Sequence, residues 1–521
     1  MCSRLLITLT FISACFTNAS EPETTPVSIE SLSLNKAIKD ALANNLELII
    51  QRYAPADALD DIIREKAVFD TTLFGTASLS ERQAAASSSS LDSASIPESE
   101  TRRARIGAEK RISTGANITI ESDLTRSSSN NNAVRNPDYG SGIGISIRQP
   151  LLKDAWARVN LAPIARAKTS AEQSLFVLRS NILDVIADTE IAYWNLAYAQ
   201  AERTLIASSI ELAETLLEEN RERKRLGIVT PLEVLQAETE LVNQQEDIIQ
   251  AERAIEDAKD ALRRIMGNTS FLNPLLEDIT VAKLPESIAP LRDIQTVIAE
   301  TIRTDADAAA SERALEVARI NAMLAEDETR LDLDLIAGLD YSGRDQDGET
   351  AYRGALNADG YNWNLGMELR LPWGHRDAHA RTRQAQRGIE RATVRLYDIK
   401  QQKAFAARNA WRAVNTGLKR IEVTRQALRL NQESFEQERA RYGSGIVAYR
   451  RVLEAQRDFD RAKSNYLSAI IDTLRANVRL SRVDGTILAR NNYDWQLADT
   501  LSTEPEIESH PLSASILNPD S

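Results

Sequence analysis

Gly227-Ile228-Val229-Thr230-Pro231-Leu232-Glu233-Val234-Leu235-Gln236-Ala237 and Gly445-Ile446-Val447-Ala448-Tyr449-Arg450-Arg451-Val452-Leu453-Glu454-Ala455 both read G-I-V-x4-V-L-x-A, 218 residues apart. Each is preceded and followed by a long charged run with helical spacing. Each therefore reads as the tight bend of a very long helical hairpin. Self-similarity at such a period points to a duplicated unit.

The arms of the first hairpin follow directly. No Gly or Pro occurs between Ile164 and Leu226. Ile182, Val185, Ile186, Ile191, Trp194, Leu205, Ile210 and Leu217 mark an apolar seam. At ~1.5 Å per residue this is a rod of roughly 90 Å. Beyond the bend, Thr230 suits an N-cap, Pro231 the first helical position, and Glu233 a capping box. The return helix is expected to run to about Met266, with a seam including Leu235, Val242, Ile249, Ile255, Leu262 and Ile265, and Gly267 closes it. A second hairpin of similar length bends at Gly445 and returns to about Val483. Its cap, Ala448, is the poorer one.

Ahead of each hairpin the period changes to 2. Phe69, Thr71, Leu73, Gly75, Ala77 and Leu79 alternate with Asp70, Thr72, Thr76, Ser78 and Ser80, Phe74 being the exception. Alternation recurs near 104–112 and 116–124, and again through Ile143, Ile145 and Ile147 to Gln149-Pro150-Leu151-Leu152. Polar loops are expected near 83–100 and 127–138. In the second half the strands run from Leu331 to Tyr341 and from Tyr361 to Leu371, with a polar loop near 343–360 between them. Helices precede both strand regions: one carrying Leu34, Ile38, Leu42, Leu46, Ile49 and Ile50, a second from Pro55 to about Lys66, and one over 291–327.

The opening helices match at an offset of about 260, the bends at 218. The first half therefore holds roughly 40 extra residues in its strand region. One additional hairpin accounts for them, because an even number of strands returns the chain to the side it left. The expected organisation is a leader 1–19, a linker 20–30, a first repeat 31–267, a connector 268–290, a second repeat 291–485 and an irregular tail 486–521.

The leader carries Arg4, an apolar run from Leu5 to Phe16, and Thr17-Asn18-Ala19 before Ser20, as an export signal does. Ile12-Ser13-Ala14-Cys15 offers a second reading, a lipoprotein box with Cys15 lipidated. Both cysteines, Cys2 and Cys15, lie in this leader, so a disulfide in the mature chain is not expected. A net charge of −13 without basic, aromatic-interleaved patches argues against a nucleic-acid partner. Aromatic content of 5% favours long solvated helices over compact cores.

Strands with one apolar face need a hydrophobic neighbour. In lipid that face points outward and the sheet must close, since open edges leave backbone groups unpaired. Four to six strands are too few for a wide channel, so closure needs several copies. Long helices with narrow seams ask for the same, packing as coiled coils.

The chain resembles the outer-membrane efflux family, the TolC-like channel-tunnels. The resemblance covers about residues 31–485. It rests on the order of helix, strands and helical hairpin, twice over, together with Ala41-Leu42-Ala43-Asn44-Asn45-Leu46, Ile147-Arg148-Gln149-Pro150-Leu151-Leu152, Leu369-Arg370-Leu371-Pro372-Trp373 and the two bends. It implies an α+β membrane protein: a homotrimer with one shared transmembrane β-barrel in the outer membrane of a Gram-negative bacterium and a long helical periplasmic tunnel. It implies that the tips, Gly227, Ile228, Val229 and Thr230 with Gly445, Ile446 and Val447, dock a periplasmic adaptor and an inner-membrane transporter. The role implied is a passive outlet for efflux or type I secretion. Tyr442 stands where the family carries a tyrosine before the second bend. Arg451 and Glu454 stand where related channels narrow the tunnel with acidic residues. Arg451 departs from that pattern, and a ring of Arg and Glu closing by ion pairs is the expectation instead. The alternative reading is a structural coiled-coil periplasmic or surface protein with a soluble β-domain.

Other candidate sites carry less. His375 and His379 sit one helical turn apart without a third ligand in view, and read as surface histidines. Gly140-x-Gly142-x-Gly144 opens a strand and has no Walker lysine. No nucleophile–base set can be placed, so neither an enzyme nor a cofactor is expected. Arg439, Arg441, Arg450 and Arg451 cluster near one tip, as a solvated charged face or an adaptor contact.

Overall fold

The computed structural model describes residues 31–83, 98–130, 135–267, 279–285, 290–491 and 493. The leader with Cys15, the linker, most of the connector and most of the tail lie outside these residues.

Helices α1 (Leu34–Asn44) and α2 (Leu46–Ala67) are separated by one residue, Asn45. The sequence reading carried the first helix through Ile50 and started the next at Pro55. The break instead lies at Asn45, and Pro55 sits inside α2. Asn45 takes an extended conformation, and its side-chain oxygen accepts from the N–H of Leu48 at 3.0 Å, capping α2. Its amide nitrogen donates to the carbonyl of Ile265 at 2.8 Å. One side chain thus starts one helix and satisfies the end of another.

The described residues hold six strands, β1 (Thr71–Gln83), β2 (Glu98–Arg111), β3 (Asn117–Ser129), β4 (Asp138–Pro150), β5 (Asp332–Asp345) and β6 (Gly360–Arg370). They form one antiparallel sheet in chain order. The additional hairpin is therefore β2–β3. The register carries one face straight across: Gly75 opposes Ile106, Ile106 opposes Ser122, Ser122 opposes Ile143, Ile143 opposes Tyr341, and Tyr341 opposes Tyr361. That face also holds Leu73, Ile120, Ile145, Trp363, Leu365, Met367 and Leu369, all exposed. The opposite face is polar and charged. Phe74 falls on it because a glycine, Gly107, stands directly opposite: a Cβ there would strike the Phe74 ring.

Between β4 and β5 run the short α3 (Trp156–Asn160), the long α4 (Ala162–Arg225) and α5 (Pro231–Ile265), then α6 (Ile294–Thr304) and α7 (Ala306–Asp327). The expected single helix over 291–327 is broken at Asp305, whose carboxylate caps α7 by accepting from Ala308 N–H at 2.8 Å. The expected polar loop 343–360 contains α8 (Gly348–Leu356). Asp347 caps it, and Ala351 and Ala355 bury against the sheet, where Gly343 leaves room for their backbone. After β6 come α9 (Arg376–Gly443), α10 (Tyr449–Val483) and α11 (Ile487–Arg490). Helix α11 corrects the start of the expected irregular tail: Ile487 and Leu488 join the core formed by α1, α2, α4 and α10.

Apolar burial is distributed in separate clusters along this long body rather than in one core. One ties α1 to α4 and α5, one ties α6 to α9 and α10, and one lies at the bends. The seam expected along α5 divides. Leu262 is buried, while Leu235, Val242 and Ile249 are exposed. The buried face of α5 is instead Val234, Ala237, Glu240, Ala251, Lys259 and Leu262.

Candidate gate at the helical tips

Both G-I-V stretches are bends, and their backbone chemistry is the same. At the first, Leu226 ends α4 and Gly227 is left-handed at φ +74°. Gly227 N–H donates to Lys224 O and Ile228 N–H to Arg223 O, both at 2.9 Å. At the second, Gly445 has φ +71°, with its N–H on Tyr442 O and that of Ile446 on Arg441 O, both at 3.0 Å. These are Schellman closures, which need a residue free of the Cβ penalty at the left-handed position. Thr230 and Glu233 form the expected capping box, the carboxylate accepting from Thr230 N–H at 2.8 Å. Ala448 makes no side-chain cap.

The two bends meet at one end of the molecule. Leu216, Leu217, Val234 and Ala237 of the first hairpin pack against Phe435, Tyr442, Tyr449, Val452 and Leu453 of the second. Tyr442 is buried in this cluster, not presented at the surface. Its hydroxyl bonds Asn220, and the Arg223 guanidinium lies 4.5 Å over its ring. Arg223 also donates to Tyr442 O at 3.0 Å and Gly443 O at 3.3 Å, supplying the end of α9 with donors from the neighbouring hairpin. Burial raises the Tyr442 phenol above its ordinary value, partly offset by Arg223.

Arg451 and Glu454 belong to a different constellation, on an exposed side of α10. Glu454 accepts from Arg450 at 2.9 Å and from Arg451 at 3.5 Å. The hydrogen bond from Arg450, then the nearby charges, holds its carboxyl below the usual range. The structure therefore brings Arg451 and Glu454 together with Arg450, and keeps Tyr442 with Asn220, Arg223 and Tyr449. Sequence reading missed Asn220 and Arg223, although both lie within two turns of Gly227. Deeper in, Glu240 of α5 is buried and takes two bonds from Arg457 of α10, at 3.0 and 2.6 Å.

The outer membrane efflux protein family model matches residues 82–268 and 297–486, most of the chain and both hairpins. The chain belongs to the outer membrane efflux protein family. Solved structures agree on the fold. The outer-membrane channel OprN superposes with a TM-score of 0.66 at 17% identity, covering 87% of this chain and 89% of its own. VceC, an outer membrane protein of Vibrio cholerae, gives 0.63 at 16% identity, covering 87% and 96%. The MtrE outer membrane channel of Neisseria gonorrhoeae, in its open state, gives 0.59 at 18%, covering 87% and 88%. No curated protein matches the chain in sequence.

Within this efflux-family fold the remaining candidates find structural places. Gly142 and Gly144 lie in β4, where a Cβ would strike Asp123 and Asp340 of the adjacent strands. The His375 and His379 rings are 6.3 Å apart. Among the described residues no three His, Cys, Asp or Glu side chains group as a metal site. Arg439 pairs with Glu219 of the other hairpin at 2.9 Å, so this arginine serves tip packing.

Proposed function

We propose that the chain is the passive outer-membrane channel of a tripartite efflux or type I secretion system, acting as a homotrimer. The observation that carries this reading is the sheet. Its one face is apolar and, outside the patch of β4 and β5 that α8 covers at Ser141 and Gly343, exposed; its other face is charged, and β1 and β6 end it with one unpaired edge each. Closure with further copies in lipid satisfies both the apolar face and the edges. No described helix is long and apolar enough to cross a membrane, so the sheet is the element that would sit in lipid. Exposed Trp156 and Trp373, just beyond the strands at the helical end, suit a membrane interface.

In this reading the chain is two structural repeats, the second extended through α11, and matched helix lengths support it. Helices α1 and α6 each have 11 residues, α2 and α7 each 22, and α5 and α10 each 35. The helical body reaches into the periplasm, and the tips dock the adaptor through Gly227 to Thr230 and Gly445 to Val447. Ile228 and Ile446 support that role, being 64% and 67% exposed, with Leu226 and Leu232 exposed beside the first of them. The gate lies at the second bend. Tyr442 locks the two hairpins together, and Arg451 with Glu454, paired within one helix in the single chain, offers a charged ring that would close by ion pairs between chains. Energy comes from the inner-membrane transporter. The leader is removed before Ser20 or at a lipidated Cys15, which the N-terminal mass of the purified protein decides.

Single-channel recording of the purified oligomer in a planar bilayer tests the reading. Stepwise conductance is expected. Recovery in the soluble periplasmic fraction without detergent would remove the channel in favour of a structural coiled-coil protein. Arg451→Ala and Glu454→Ala channels test the gate, and closure unchanged in both would remove it.

A further inference from the structure

We propose that three copies close an eighteen-strand barrel with an open aqueous bore of about 26 Å. The inference rests on the trimeric channel reading and specifies the outlet.

The β2–β3 hairpin belongs to the wall. Its register continues the same two faces from β1 through to β4. On the apolar face of β2, Ala104, Ile106 and Ala108 lie between Arg102 and Lys110. Eight residues at ~3.4 Å rise make about 27 Å along the strand, or about 21 Å upright at a 40° tilt. That is close to the height of an outer-membrane apolar band, with a charge at each margin. On β3, Ile118, Ile120 and Leu124 flank Ser122, which meets Tyr352 of α8, in the same band, closed by Arg126 opposite Arg102. A hairpin folded over the rim would have no reason to carry such a band.

The polar face does not fill the bore. Several of its polar side chains lie along the wall. Asp123, Asp340 and Asn364 each lie across a glycine of the adjacent strand: Gly142, Gly144 and Gly338. Arg148 spans to Asp334 at 2.7 Å and to Glu368 at 2.8 Å on the next two strands, and Arg344 pairs with Asp138 at 2.6 Å. Cross-strand pairing directs these charges sideways instead of toward the axis.

Eighteen strands about 4.8 Å apart, tilted about 40°, give a backbone diameter of about 36 Å, and twelve give about 24 Å. Allowing about 5 Å of side chain on each wall leaves bores of about 26 and about 14 Å.

Top views of the detergent-solubilised protein by electron cryomicroscopy measure this directly. A ring of about 36 Å is expected for the full chain, shrinking by about a third in a variant lacking residues 98–130. A ring of about 24 Å in the full chain overturns the proposal, and this measurement stands even if the deletion variant does not fold. In planar bilayers, polyethylene glycol of about 20 Å diameter added on the barrel side should enter and lower the conductance of the full chain. Its exclusion, with conductance unchanged, overturns the open bore. A particle without a ring, or a ring without conductance, removes the channel reading itself and this inference with it.

Discussion

Gly445 and Gly267 hold similar backbone conformations, φ +71° and +66°, in very different surroundings. Nothing lies within 4 Å of a Cβ at Gly445, whereas one at Gly267 would run into the backbone carbonyl of Asn44. Gly445→Ala should therefore cost only the left-handed penalty, about 1–2 kcal/mol. Gly267→Ala must also push α1 away from the end of α5, against the Asn45 to Ile265 bond. We expect the Gly267 variant to lower the thermal midpoint clearly more than the Gly445 variant, and equal shifts would show that the α1–α5 joint yields freely. Glu454 gives a second residue-scale test. Its folded-state pKa is depressed below 4.5, so its ion pairs are intact above that value and are lost as pH falls through the depressed one. Closed-state conductance should stay flat from pH 8 down to pH 4.5 and change only below it. A change centred near neutrality would assign the gate to another group.

At the scale of elements, the two bends form an internal comparison, because one is capped by Thr230 and the other begins at Ala448. Thr230→Ala should cost about 1 kcal/mol at the first bend, and Ala448→Ser should stabilise the second by a similar amount. Amide hydrogen exchange in the first turns of α5 and α10 reads both; protection that does not move in either variant would show that tertiary packing, not capping, fixes the tips. These bends were legible in sequence because a Schellman closure is local: the glycine and its acceptors lie within five residues. The helix breaks were not. Asn45 acts with Ile265, 220 residues away, while Pro55 offered a stronger local signal that the rest of α2 overrides. Likewise α8 was hidden in a polar stretch because Ala351 and Ala355 become apolar contacts only once Gly343 lies beneath them. Tyr442 could be placed before the second bend from sequence, but its burial against Asn220 and Arg223 depends on how two hairpins meet, which no periodicity records.

For the whole molecule, the order of elements and the place of the extra hairpin followed from two offsets that disagree, 260 for the opening helices and 218 for the bends. What the sequence could not assign was which apolar residues serve the chain and which are left for a partner. Helix α5 shows the difficulty. Leu235, Val242 and Ile249 recur every seven residues, as a coiled-coil seam does, yet the chain buries a different face of the helix, using Glu240 and Lys259 among its contacts. On α9, Val423 and Leu430 are spaced by seven and exposed in the same way. In the proposed trimer these seams are the natural contacts between neighbouring copies. Val242 is 57% exposed, so Val242→Glu removes little from the fold of one chain. Placed in an intermolecular seam, the same carboxylate would be buried against apolar side chains without a partner, a cost of several kcal/mol in each of three interfaces. We therefore expect Val242→Glu to keep its helical circular dichroism while shifting from trimer to monomer in native electrophoresis and light scattering. A matched substitution at Ala237, buried within the chain, should instead lower helicity itself. If Val242→Glu leaves the trimer intact, this face of α5 is open to solvent in the assembly, and the contacts that hold three copies together lie in the sheet edges alone.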